Sequence, residues 1–394
     1  MKKFLAALLA AMLLLSVMPA LADYEPLLAV GGSFVYARDN QGVLRVWGDN
    51  QYGQLGKGSN KQNKNPAVFK TKNADIDVLE IKGIYAGCDY SYFLMNNGDI
   101  YGAGNNLNGA MTCKKGYCAT HVKIALDDKT ITTIAPGFGH TLALNEAGEV
   151  YAWGRNNAGQ VGNGKTVAVY EPVKLDLQRI TAIAAGGKFS IALDESGVLW
   201  GWGDNANHEL SAENVKQYKT PVQIDTGDLK IKMIDAGGSY ISCVDENGTL
   251  YMWGINAENQ CGFDSNGKDI LTPTAVDLPL PVVYLASYSS QTYVVLSDGS
   301  LWGWGNNTYG QLGLGFRTAS GKGVTVSKIW DSDVVMVQGG SLCMTAMLSD
   351  GRLLTAGINK FGQLGLATKE YEISTIFENG MDLIVEDTAN AEGA

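Results

Sequence analysis

The sequence predicts an all-β protein, a seven-bladed β-propeller of four-stranded blades, and three observations carry that reading. The pattern Gly-x4-[Trp/Ala]-Gly-x-Asn occurs seven times at intervals of about 50 residues, a period that marks solenoids, propellers and arrays. Each copy contains a hairpin with the period-two alternation of half-buried strands. Helical spacing is not sustained anywhere after residue 22.

Residues 1–22 read as an export signal. Lys2 and Lys3 give a basic start, 4–18 an apolar core, and Ala20-Leu21-Ala22 a small-x-small cleavage site. The apolar run is short of the roughly 20 residues a membrane span needs. The mature chain is expected to begin at Asp23, with residues 23–390 forming one propeller domain, and to be secreted, or periplasmic in a host with an outer membrane. The formal net charge is −10, and −12 once Lys2 and Lys3 are removed. Such a surface repels phosphate backbones and anionic lipid, which argues against nucleic acid and membrane insertion.

The repeat is clearest over 185–203. Ala185-Gly186-Gly187 makes a small-residue turn, and Phe189-Ser190-Ile191-Ala192-Leu193 alternates as a strand. Asp194-Glu195-Ser196-Gly197 is a hairpin turn whose glycine supplies a positive φ, and 198–202 is the partner strand. Asn205 is expected to turn its amide back on the local backbone as an Asx-turn. Further extended runs such as 221–224 and 231–234 bring the count to about four strands per repeat, the blade of a propeller.

Closure is read from the two ends. Residues 27–47 form a hairpin with no outer strands before it, and 371–386 resemble outer strands with no hairpin after them. The expectation is one blade shared by both ends. Trp47, Trp153, Trp202, Trp253 and Trp304 share a strand face with the residues two before them and are expected to pack against the neighbouring blade.

The string WGNNTYGQLG at 304–313 is repeated as WGDNQYGQLG at 47–56, WGRNNAGQVG at 153–162 and AGINKFGQLG at 356–365. This motif resembles the repeat of the regulator-of-chromosome-condensation (RCC1) family, over essentially the whole mature chain, and the resemblance implies a seven-bladed propeller. Gly109-Ala110-Met111-Thr112, His208-Glu209-Leu210-Ser211 and Asn259-Gln260-Cys261-Gly262 depart from GQLG, which implies altered loops rather than another fold. The family's guanine-nucleotide exchange activity does not fit an exported acidic chain. Secreted bacterial members, the propeller-type β-lactamase inhibitory proteins among them, are closer in context and lack catalytic machinery.

Chemistry is thinly represented. The three histidines, His121, His140 and His208, are not set in any GxSxG, HExxH or CxxC string. No cofactor, metal or catalytic residue is expected, although 40 acidic residues leave glycosidase-type carboxylate pairs open. Cys113 and Cys118 enclose four residues and read as a disulfide-closed loop, or as two free thiols. Cys88, Cys243, Cys261 and Cys343 read as small core residues.

The candidate site is a circle of bulky residues after each strand-opening turn: Phe34, Tyr90, His140, Phe189 and Tyr240, with Tyr288 and Leu342 nearby in the two irregular copies. Exposed at one face, they would anchor a partner protein or stack on sugar. Otherwise they pack the channel mouth. Asp89 and Lys188, on the same turns, would add polar rim contacts. The resulting expectation is a monomeric, non-enzymatic binding protein engaging an extracellular or cell-surface protein, with polysaccharide recognition as the alternative.

Overall fold

The computed structural model describes residues 24–111, 116–366 and 373–382, so the proposed export signal lies outside the described residues. These residues form seven four-stranded sheets, each built from consecutive strands in sequence order. Blade 1 spans 27–68, blade 2 81–123, blade 3 131–174, blade 4 180–223, blade 5 231–275, blade 6 282–330 and blade 7 334–382. First strands of successive blades pack on one another, which places them around the axis. This is the all-β, seven-bladed propeller expected.

Blade 4 shows how the local sequence builds the unit. Its strands Ile180–Ala185, Phe189–Asp194, Leu199–Asp204 and Gln217–Gln223 pair antiparallel in that order. Asp194 Oδ1 accepts the backbone N–H of Ser196 and Val198, and Gly197 takes φ +82°, so the hairpin turn is held by its own carboxylate. The central strands are buried on both faces, which is why they read as apolar runs.

The two ends do not share a blade. The short run Leu27–Val30 is itself the innermost strand of blade 1, and Asn63–Val68 is its outermost; Ile373–Asp382 is the fourth strand of blade 7. The repeat therefore starts at an inner strand, and a four-residue strand next to a hairpin was too short to be separated from it by pattern alone.

Side chains and turns seal the ring instead. The Gln338 amide stands in for a backbone unit: Val30 N–H donates to its Oε1 at 2.9 Å and its Nε2 donates to the Leu28 carbonyl at 3.1 Å. Trp47 Nε1 donates to the Gln363 carbonyl, and Ser341 N–H donates to the Gly32 carbonyl. Leu28, Val30, Trp47, Met347 and Leu364 share one apolar cluster across this seam.

The same joint recurs around the ring. Trp153, Trp202, Trp253 and Trp304 donate from Nε1 to the carbonyls of Ala110, Gln160, Glu209 and Gln260 in the preceding blade. These four and Trp47 are 2% exposed or less, as the sequence implied. Where alanine replaces tryptophan, at Ala103, His121 fills the space. Its imidazole stacks on Phe93 at 3.9 Å between centroids and lies against Gly56, the glycine whose counterparts Gly162 and Gly365 lie against Trp202 and Trp47.

The asparagines reach further than an Asx-turn. In each of the seven copies Asn Oδ1 accepts the N–H five residues on, as Asn205 does from Leu210 at 2.7 Å, and in five (Asn50, Asn156, Asn205, Asn256 and Asn307) the amide donates to carbonyls or side chains across the following loop, as at Ser211 and Val215. The degenerate copies keep this geometry. His208 and Asn259 take φ of 60° and 56° where other blades have glycine, and Met111, Leu210 and Cys261 stay buried in the leucine position.

Candidate functional site

The proposed circle exists, but it is buried. Phe34, Tyr90, His140, Phe189 and Tyr240 are each 0% exposed. Their register is set by pairing with the glycine after the tryptophan position: Phe34↔Gly48, Tyr90↔Gly104, His140↔Gly154, Phe189↔Gly203 and Tyr240↔Gly254. From there each turns inward and joins its blade to the next. Tyr90 Oη donates to the carbonyls of Gly137 and His140, at 2.8 Å each; His140 Nε2 meets Ser190 Oγ at 3.0 Å; Tyr240 Oη donates to the Gln291 carbonyl. These five side chains therefore do not offer an exposed binding circle. Apolar rings are cheaper to bury between blades than to leave at a wet face.

The two irregular copies also fall differently. The same pairing assigns Gln291↔Gly305 and Cys343↔Gly357, so the sixth and seventh members are Gln291 and Cys343, not Tyr288 and Leu342. Tyr288 instead occupies the position that is Gly31, Gly87, Gly137, Gly186, Gly237 and Gly340 in the other blades. Those glycines are required by crowding: a Cβ on Gly186 would lie 2.3 Å from the Phe189 ring and 2.7 Å from the Gly237 carbonyl oxygen. With a flexible Gln291 below it, blade 6 admits a side chain there, and Ser289 takes φ +51° to complete a tight turn.

The side chain it admits reaches over the axis. Tyr288 meets Phe138 of blade 3 with ring centroids 5.5 Å apart and planes at 48°, both half-buried. Phe138 is also an exception, since its counterparts are Gly32, Cys88, Gly187, Gly238, Ser289 and Ser341. Around this pair the turns are tied blade to blade by backbone bonds: Gly32 N–H to Cys88 O, Phe138 to Gly186, Gly187 to Gly238, Gly238 to Ser289 and Ser341 to Gly32. The mouth is thus a stiff rim with two aromatic residues at its centre.

Beside Phe138 a depression of about 460 Å³ lies over blades 3 to 6, lined among others by Arg155, Lys188, Asp204, Asn207 and Ser290. Lys188 is exposed and free to make a rim contact. Asp89 is half-buried and accepts a hydrogen bond from Asn105 Nδ2 at 2.7 Å; burial, with Asp49 nearby, pushes its carboxyl above the usual range.

Acid–base chemistry at the histidines is opposed by their surroundings. Burial holds the His121 imidazole down to about 3, and burial with the Arg155 charge holds His140 to about 4, so both are neutral at physiological pH. Among the described residues no group of three His, Cys, Asp or Glu side chains is placed to hold a metal ion. Cys118 is disulfide-bonded, while its expected partner Cys113 lies outside the described residues. Cys243, Cys261 and Cys343 are buried free thiols, and Cys88 is a half-buried one.

A propeller whose blades are joined through a WGxNxxGQLG loop defines a repeat protein of the chromosome-condensation-regulator type. The family model for the RCC1-like domain matches residues 118–383, and that for the RCC1 repeat matches residues 41–94. The chain belongs to the RCC1-like family. It is similar to the ultraviolet-B receptor UVR8 of Arabidopsis thaliana, 29% identical over 356 residues, covering 89% of this chain and 69% of that protein. It is 28% identical to the human E3 ubiquitin-protein ligase HERC2 over 235 residues, 59% of this chain but only 4% of the ligase. Among solved structures, Prp20p of Saccharomyces cerevisiae, described with its binding to Gsp1p and histones, aligns with a TM-score of 0.70 at 24% identity over 79% of this chain and 80% of its own. At that identity the likeness concerns the fold.

Proposed function

We propose that this chain is a non-enzymatic binding protein that engages a partner protein through the channel-mouth face. The observation that carries the reading is the Phe138–Tyr288 contact. Two half-buried aromatics stand at positions where the other blades carry glycine, serine or cysteine, on a rim already stiffened by inter-blade hydrogen bonds. Aromatic anchors on a pre-organised surface bind with little ordering cost. Arg155 and Lys188 beside them supply charged contacts at the edge of the patch. Prp20p, which shares the fold, likewise binds proteins, Gsp1p and histones. With the export signal read from residues 1–22, the partner is an extracellular or cell-surface protein.

The test is crosslinking of the mature protein to extracellular material, with the captured partner identified by mass spectrometry. Affinity is then measured for Phe138→Ser and for Arg155→Glu with Lys188→Glu. Loss of capture with an unchanged circular dichroism spectrum supports the reading. Wild-type affinity in all of these variants removes this face from consideration.

A further inference from the structure

Below the Phe138–Tyr288 pair the seven inner strands leave an axial cavity of about 250 Å³. An apolar cavity of about 150 Å³ already admits benzene, so there is room for a small organic molecule. Most of its wall is alanine and isoleucine, among them Ile84, Ile134, Ile183, Ala135 and Ala184. The wall position just before the turn is alanine in blades 1, 3 and 4 (Ala29, Ala135, Ala184) and polar in blades 2, 5 and 7 (Tyr85, Asp235, Gln338).

Of those three, Asp235 brings a charge. Protein surrounds its carboxyl on all sides, yet the residue keeps accessible surface, because that surface faces the cavity rather than bulk solvent. Oδ1 accepts the Ala236 N–H at 2.9 Å and Oδ2 the Ser287 N–H at 2.6 Å. A carboxylate offers about four lone-pair directions, so two backbone donors leave acceptor capacity toward the cavity. Among the described residues no lysine, arginine or histidine lines the cavity to balance the charge. The titratable groups whose charge is felt with it are the phenols of Tyr284 and Tyr240, which burial keeps protonated. Consistent with a missing counter-charge, burial raises the Asp235 carboxyl to about 7.

We propose that the axial cavity is a binding site for a small alkylammonium ion, its ammonium group held by Asp235 and its alkyl arm against the alanine and isoleucine wall. The faces of Phe138 and Tyr288 at the mouth suit the same cation, since an ammonium is attracted to an aromatic face. An inorganic cation would satisfy Asp235 alone and leave the apolar wall unused. A carboxylate ligand would face a like charge, and a neutral alcohol would forgo the charge.

The experiment titrates the mature protein with n-butylammonium chloride, with n-butanol, sodium butyrate and ammonium chloride as comparisons, followed by calorimetry and ligand-observed NMR. Butylammonium is expected to bind saturably and more tightly as pH rises through neutrality, at least about tenfold better than butanol. Asp235→Asn should remove that advantage. Should that variant fail to fold, Ala135→Leu, which fills the cavity from the equivalent wall position in blade 3, should exclude the ligand and leave Asp235 in place. Equal binding of butylammonium and butanol, equal binding of butylammonium and ammonium, no saturable binding, or undiminished binding in a folded variant each overturns the proposal.

Discussion

Trp47 Nε1 donates a hydrogen bond to the Gln363 carbonyl oxygen at 3.0 Å, linking residues 316 apart in sequence and the first blade to the last. Trp202 makes the equivalent bond to Gln160 within the body of the ring, at 2.9 Å. Trp47→Phe leaves the Gln363 carbonyl without its indole donor and should cost about 1–3 kcal/mol in denaturant unfolding, whereas in Trp202→Phe the Gln160 carbonyl keeps the Ser190 hydroxyl at 2.8 Å and the cost should be smaller. Only Trp47→Phe should speed hydrogen exchange selectively in Leu27–Val30 and Val334–Gly339, because it alone weakens the seam. Matching exchange patterns in the two variants would show that the seam is no weaker than any other joint.

Phe189 and Tyr240 are packed between blades, so truncating them is a stability experiment. Phe189→Ala should cost about 3–5 kcal/mol, the usual range for a buried Phe. Partner capture per folded molecule should be unchanged. A stable Phe189→Ala protein that has lost only binding would restore the exposed circle.

His121 and His140 are held neutral, at about 3 and 4 against an ordinary 6.5. The unfolded chain binds these protons first, so their contribution is complete above about pH 6.5 and declines as pH falls toward 4. Chemical denaturation at pH 7 and pH 5 should show the loss, on the order of 4 kcal/mol for the pair. His121→Gln combined with His140→Gln should flatten it. Imidazole NMR signals that titrate near 6.5 in the native protein would contradict the burial.

Asp235 has the opposite sign. Its folded value of about 7 lies above the ordinary 3.8, so its contribution is complete below about pH 4 and is lost as pH rises through 7. Relative to Asp235→Asn, the wild type should lose on the order of 1–3 kcal/mol of stability between pH 5 and pH 8. A pH-independent difference would mean that the carboxyl is already ionised at pH 5.

Thiol labelling should follow burial. Cys243 and Cys343 are each pushed up to about 12, and Cys261 is raised further by burial. Cys88, half-buried beside Tyr288 and Ser341, should label first in native protein and the other three only on unfolding. Rapid native labelling of Cys261 would show that its loop opens.

The repeat strings made the blades legible because a strand hairpin is a local object. Alternation, an acidic turn and a glycine with positive φ all lie within twenty residues or so, as in blade 4. Tyr288 was misplaced for the complementary reason. Aromatic character suggested membership of the inner circle, while the pairing of Gln291 with Gly305, visible only in the sheet, sets the register. The replacement of a tryptophan by His121 was equally hidden, since His121 lies eighteen positions after Ala103 on another strand.

By itself, the sequence determined the number of blades, the strands within each, and the tryptophan joints, because each rests on contacts repeated at one period. The tertiary structure decided how the ring closes, which side chains face solvent, and what stands on the axis. Those depend on contacts among all seven blades at once, such as Phe138 with Tyr288 and Asp235 with Ser287, and no local pattern records them.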